Sequence, residues 1–115
     1  MNEHPEALVV AEEYLKEMLA ADDAGNFELY TKRYEEQYLD GFTRDVFESD
    51  IEQMHEENGM NTGYEFLGTL RNQRVDELDV YRTVWKGIYE KRDAVIELGI
   101  YDRKGSWHVI RSAVY

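Results

Sequence analysis

Residues 81–115, reading YRTVWKGIYEKRDAVIELGIYDRKGSWHVIRSAVY, contain three successive runs in which apolar and polar side chains alternate with a period of two. That period belongs to strands. Ahead of about Asn61 the apolar spacing is instead close to 3.6, the period of helices. Helices followed by sheet restrict the chain to an α+β fold, with three N-terminal helices packed on one face of a curled antiparallel sheet of about four long strands. At 115 residues the chain is expected to form a single domain, residues 1–115, around one core.

Pro5 suits the first turn of a helix, where a missing N–H costs nothing. Leu8, Ala11, Leu15, Met18 and Leu19 follow as an apolar stripe that Val10, Tyr14 and Ala21 widen, and Glu12, Glu13, Lys16 and Glu17 mark the wet side. So broad a stripe predicts deep packing against the sheet, ending near Asp23. Asn26 offers an N-cap to a second helix that carries Phe27, Tyr30, Tyr34 and Tyr38 on one side and stops at Gly41. Thr43 caps a third, with Asp45 at the positive end of the dipole, Phe47, Ile51 and Met54 buried, and Gly59 closing it.

The first strand starts at Gly63, with Tyr64, Phe66, Gly68 and Leu70 alternating against Glu65, Thr69 and Arg71. The others are expected at residues 78–89, 94–101 and 106–115, the last two joined by a tight turn through Asp102, Arg103, Lys104 and Gly105. Gly68, Gly87 and Gly99 interrupt three strands, which suggests bulges where a long sheet curls over the first helix as a half-open cone. On the third strand Ala94, Ile96, Leu98 and Ile100 face one way and Val95 and Tyr101 the other. Helices can cover only one of two apolar faces, so either a second copy covers the other, sheet against sheet, or Arg82, Lys86 and Glu97 keep it wet.

Charge narrows the partners. The net charge is -12, and residues 1–61 hold 17 acidic and 4 basic side chains while residues 62–115 hold 8 and 9. No basic excess exists to displace counterions, so neither nucleic acid nor an anionic membrane is expected. The acidic helical half is either a solvated surface or a docking face for a basic protein. Cysteine is absent, which excludes disulfides and thiolate chemistry. The acidic opening MNEHPEALVV lacks the basic segment of a secretory signal, and the expected location is cytoplasmic.

The Asp22-Asp23-Ala24-Gly25-Asn26-Phe27 junction between first and second helices and the terminal Gly105-Ser106-Trp107 hairpin resemble the nuclear-transport-factor-2-like superfamily, a cystatin-like fold that includes polyketide-cyclase-like proteins and ketosteroid isomerases. The resemblance covers nearly the whole chain. It implies a cone with an apolar ligand pocket between sheet and helices, frequent homodimerisation through the sheet, and activities that differ from member to member. The isomerase set of one tyrosine and two acids does not carry over. Tyr14 could supply the tyrosine, but the inner side of the third strand holds only Ile96, Leu98 and Ile100, and the strand hairpin those enzymes place before the third helix is missing.

Candidate chemistry is sparse. His108, partnered by Tyr81 or Tyr14, could move a proton inside an apolar pocket; beside Trp107 it could equally be a packing residue. Tyr14, Tyr30, Phe66, Tyr81 and Trp85 are the candidate pocket residues, and the same spacings suit plain core. His55 stands in no metal-ligand spacing and reads as surface, and the adjacent pairs Asp22 with Asp23 and Glu35 with Glu36 diverge on a helix rather than forming a dyad. No metal and no cofactor is expected. Three functions follow: a homodimeric domain that binds a small apolar ligand or serves in assembly, an acid-base enzyme of isomerase, dehydratase or cyclase type, or an acidic inhibitor or immunity-type protein for a basic partner.

Overall fold

A computed structural model of the chain describes residues 5–115, with backbone alone at Pro5 and Arg71. The acidic opening stretch begins in residues 1–4, which lie outside the described residues, as does the Arg71 side chain expected on the polar side of the first strand. Helices α1 (Pro5–Ala24), α2 (Phe27–Thr31) and α3 (Arg44–Asn58) precede strands β1 (Asn61–Val75), β2 (Leu78–Tyr89), β3 (Asp93–Arg103) and β4 (Ser106–Val114). The strands pair antiparallel in the order β1-β2-β3-β4, an open sheet with β1 and β4 at its edges.

The wide apolar stripe of α1 is buried as its spacing demands. Ala7, Ala11, Leu15, Met18 and Leu19 join Trp85, Ile96, Leu98, Ile100 and Val109 in one core cluster. Each fully buried aliphatic side chain there contributes about 1.5–3 kcal/mol of transfer free energy. Both predicted caps form: Asn26 accepts the Leu29 amide at 3.0 Å and Thr43 the Val46 amide at 3.3 Å. Gly59 ends α3 with φ of 78°, and a Cβ there would lie 2.8 Å from the Glu90 Cβ, so glycine is required twice over.

The second helix is shorter than its aromatic spacing predicts. It ends at Thr31, and beyond it the Arg33 carbonyl accepts the Val109 amide at 2.8 Å while Tyr34 bridges Val109 in parallel. The free edge of β4 takes backbone groups that a further helical turn would have used. Tyr34 is thus a fifth extended segment beside the four long strands, reduced to a single bridge. A short 3-10 turn at Glu36–Tyr38 follows.

The β1–β2 hairpin is longer than expected. Asp76 and Glu77 form its two-residue turn, both at positive φ (50° and 67°), the conformation that suits a right-twisted hairpin. Without glycine or asparagine, that turn leaves little trace in the sequence. The β3–β4 turn falls where glycine predicts it, with Asp102 Oδ1 accepting the Gly105 amide at 2.7 Å.

Bulges occur beside Gly68, between Phe66 and Gly68, and beside Gly99, between Gly99 and Ile100. Gly87 is different, since its pairing is unbroken. A Cβ at Gly87 would come within 2.7 Å of Ile96 Cδ1 and Tyr89 Cε1, so this glycine makes room for the core instead of bending the strand.

The face of the sheet away from α1 is partly covered by the chain itself. Tyr101 has no exposed surface: Tyr38 meets it edge-on at 5.9 Å between ring centroids, and Glu35 accepts its hydroxyl and the Arg103 Nε. Farther along, Glu97 is 9 % exposed beneath Arg82, Arg111 and the Tyr115 hydroxyl. Leu70 and Val95, each 44 % exposed, flank this network. The face expected either to meet a second copy or to be kept wet by Arg82, Lys86 and Glu97 therefore carries a half-buried Arg82–Glu97 ion pair.

Candidate functional site

The stripe of α1 does not end with its apolar residues. Continuing Ala11, Leu15 and Met18 by four positions leads to Asp22, which is 7 % exposed and makes no hydrogen bond among the described residues. Burial, reinforced by the charge of Asp23, pushes its carboxyl up to about 7. Asp22 looks into a cleft of about 390 Å³ between α3 and the end of β4. That volume lies at the small end of the range for ligand sites, roughly 300–1,000 Å³.

Each wall of the cleft has a different chemistry. Tyr30, Phe42 and Phe47 make an aromatic wall, with Tyr30 4.9 Å from Phe47 and 5.5 Å from Phe42 between centroids. Ser112 on β4 forms hydroxyl-to-hydroxyl hydrogen bonds with Tyr30 at 2.7 Å and Tyr34 at 2.6 Å. Burial raises both tyrosines above their ordinary range, and the Asp22 charge adds to the effect, so they stay protonated. Asp50, Ile51 and Glu57 contribute from α3. At one end Arg92 donates to Asn58 Oδ1 at 2.9 Å and to the Tyr115 carbonyl at 3.1 Å, so its guanidinium is already engaged.

Two polar atoms are sealed from solvent without a hydrogen-bond partner among the described residues, Tyr89 Oη and His55 Nε2. Burial and the Asp22 charge push the Tyr89 hydroxyl up to about 12. His55, expected at the surface, is half-buried.

The structure disperses the five aromatic residues singled out in the sequence. Tyr30 alone lines the large cleft. Tyr14 lies against α2 and donates to the Trp107 carbonyl at 3.1 Å, with the Arg33 guanidinium 4.7 Å from its ring centroid. Tyr14 and Tyr30 share only a crevice of about 10 Å³, room for little more than one water. Trp85 is buried in the core with its indole N–H donating to Thr83 at 2.9 Å. Phe66 meets Trp85 edge-on at 5.1 Å but is 44 % exposed on the edge strand, and Tyr81 packs against Trp107 at 5.7 Å.

His108 and Tyr14 do not face one space. His108 pairs with Tyr101 across the strands, rings 5.5 Å apart, on the face opposite Ile100, whereas Tyr14 packs on the helix-covered face. The sheet separates them. Ser112 was not singled out in the sequence, and Asp22 was read only as part of the helix junction and as half of a diverging pair with Asp23, yet it carried a readable signal: it occupies the next position of the α1 stripe. Ser112 carried none, because its face depends on the bulge beside Ile100.

Compared with family models, with curated proteins and with solved structures, the chain matches none. What the structure defines is a small α+β protein with an open, helix-packed antiparallel sheet. No described helix is long and apolar enough to cross a membrane.

Proposed function

We propose that this chain is a cone-type domain of the nuclear-transport-factor-2-like kind that binds a small ligand in the cleft between α3 and β4. One observation carries the reading: the buried Asp22 carboxyl, without a side-chain hydrogen bond among the described residues, lines an open cleft of about 390 Å³ together with Tyr30 and Ser112, whose hydroxyls bond to each other. Burying a polar group without a partner costs stability, so an arrangement that leaves one facing open space is suited to a partner that arrives from outside. Nitrogen–proton NMR of the labelled protein against a chemically mixed fragment library tests it. Shifts clustered at Asp22, Ile51 and Ser112 are expected, and a library that leaves these amides unmoved would remove the reading.

An acid-base enzyme is the second reading, and the Asp22 carboxyl favours it. A group that changes protonation near pH 7 beside hydroxyls held protonated can accept and return a proton. Carbon-bound hydrogen exchange in a carbonyl substrate, lost in Asp22→Asn, would select this reading over binding alone.

Homodimerisation through the uncovered face of the sheet belongs to the same proposal. Leu70 and Val95 support it as the exposed apolar flank of the Arg82–Glu97 pair. Light scattering at micromolar concentration decides, and a monomer there removes the dimer from the proposal.

A further inference from the structure

The cleft is unequally charged. Asp22, Asp50 and Glu57 line it against Arg92, the one cation lining it among the described residues, and Arg92 donates from each terminal nitrogen, to Asn58 and to Tyr115. An anionic ligand would meet three carboxyls and a guanidinium with two of its five donors engaged. The field of the whole molecule, with a net charge of -12, points the same way.

Resting on the ligand-binding reading above, we infer that the cleft takes a small organic amine, its ammonium donating to the Asp22 carboxylate and its carbon body lying against Tyr30, Phe42 and Phe47. Asp22 is 7 % exposed, and its carboxyl has no hydrogen-bond partner among the described residues. An ammonium satisfies it through hydrogen bonds in which donor and acceptor are both ionised, whereas a neutral ligand of equal size brings no opposite charge and an anionic one is repelled. The aromatic wall adds attraction between ring faces and a cation. No group of three His, Asp or Glu side chains able to hold a metal ion occurs among the described residues.

Protonation gives the inference a signature. The groups facing Asp22 are Asp23 on α1, Tyr30 and Tyr34 beyond α1, Tyr89 on β2, Asp50 and Glu57 on α3, and Arg92 in the β2–β3 turn. The tyrosines hold their protons near neutrality, and Asp22 is the group whose ionisation is raised into the neutral range. An ammonium binds the ionised carboxylate, so binding strengthens as pH rises through about 7 and releases a proton below it.

Calorimetry on the full chain with three probes of matched size tests this: 2-phenylethylammonium, 2-phenylethanol and phenylacetate. The amine is expected to bind at least about tenfold more tightly than the alcohol, with phenylacetate weakest, and to gain about tenfold in affinity between pH 6 and pH 8. Asp22→Asn should abolish both the preference and the pH dependence. Asp50→Asn, at the exposed rim, should reduce affinity by a few-fold and keep the pH dependence. If the alcohol or the acid binds the cleft as well as the amine, the amine inference falls and the ligand-binding reading stands. If none of the three shifts the NMR signals of the cleft, the amine inference falls, and the fragment library then decides the broader reading separately.

Discussion

The helix-covered face of the sheet has two ends that solve the same packing problem differently. Under α1, Leu15, Trp85, Ile96, Leu98 and Ile100 interlock, and the Trp85 indole N–H and the Thr83 hydroxyl buried there both find partners. Beside α3 the same sheet presents Ser112 and Val114, and facing them stand Asp22, Tyr30 and an open cleft. The first end is dry and filled; the second is polar and incompletely paired. A small protein normally fills its interior to near-crystalline density, so a region left open and polar marks where stability has been given up.

Substitutions can break this contrast, beginning with the filled end. Leu98→Ala should cost about 2–5 kcal/mol in denaturant melts, because Leu98 is 1 % exposed and its neighbours cannot all collapse into the hole. A loss near zero would mean that the α1 end is not the tightly packed region.

The next largest effect is at Asp22 and depends on pH. Its carboxyl is raised from 3.8 to about 7, so between those values the folded chain holds a proton that the unfolded chain has released. The contribution of Asp22 to stability should therefore be greatest below about pH 4, fall as pH rises toward 7, and level off above it. Asp22→Asn should stabilise the protein by roughly 2–4 kcal/mol at pH 8 and hardly at all at pH 4. Urea melts at the two pH values measure it, and equal changes at both would show that Asp22 is not a buried acid.

Ser112→Ala tests the hydroxyl cluster on the other wall. It leaves Tyr30 and Tyr34 without their shared partner, at an expected cost of about 1–3 kcal/mol. The smallest effect should be at Val95→Ser on the far side of the sheet. At 44 % exposure it should change stability by no more than about 0.5 kcal/mol in a monomer. A larger loss that grows with protein concentration would instead reveal a second copy resting on that face.

Much of the fold was legible before any coordinates. The α1 stripe, the Asn26 and Thr43 caps, the Gly59 stop and the β3–β4 turn each depend on chemistry within a few neighbouring residues, and each formed as read. Where the reading stopped short, a distant partner had intervened. Tyr34 left its helical line because the edge of β4 offered hydrogen bonds, and β1 ran on to Val75 because Asp76 and Glu77 accepted positive φ without a glycine to announce it.

The candidate site shows the same division. Asp22 was visible as a polar residue in an apolar stripe, but a carboxylate on a helix is ordinarily turned to water, and nothing nearby in sequence says otherwise. Local periodicity settled which residues form helices and strands and which way α1 faces, since those preferences are decided within one or two turns. Burial of Asp22, the meeting of Tyr30 and Tyr34 at Ser112, and the folding of Tyr38 over Tyr101 join residues as far apart as 82 positions in the chain. Only the packed arrangement could decide them, because burial and hydrogen-bond partnership are properties of neighbours in space.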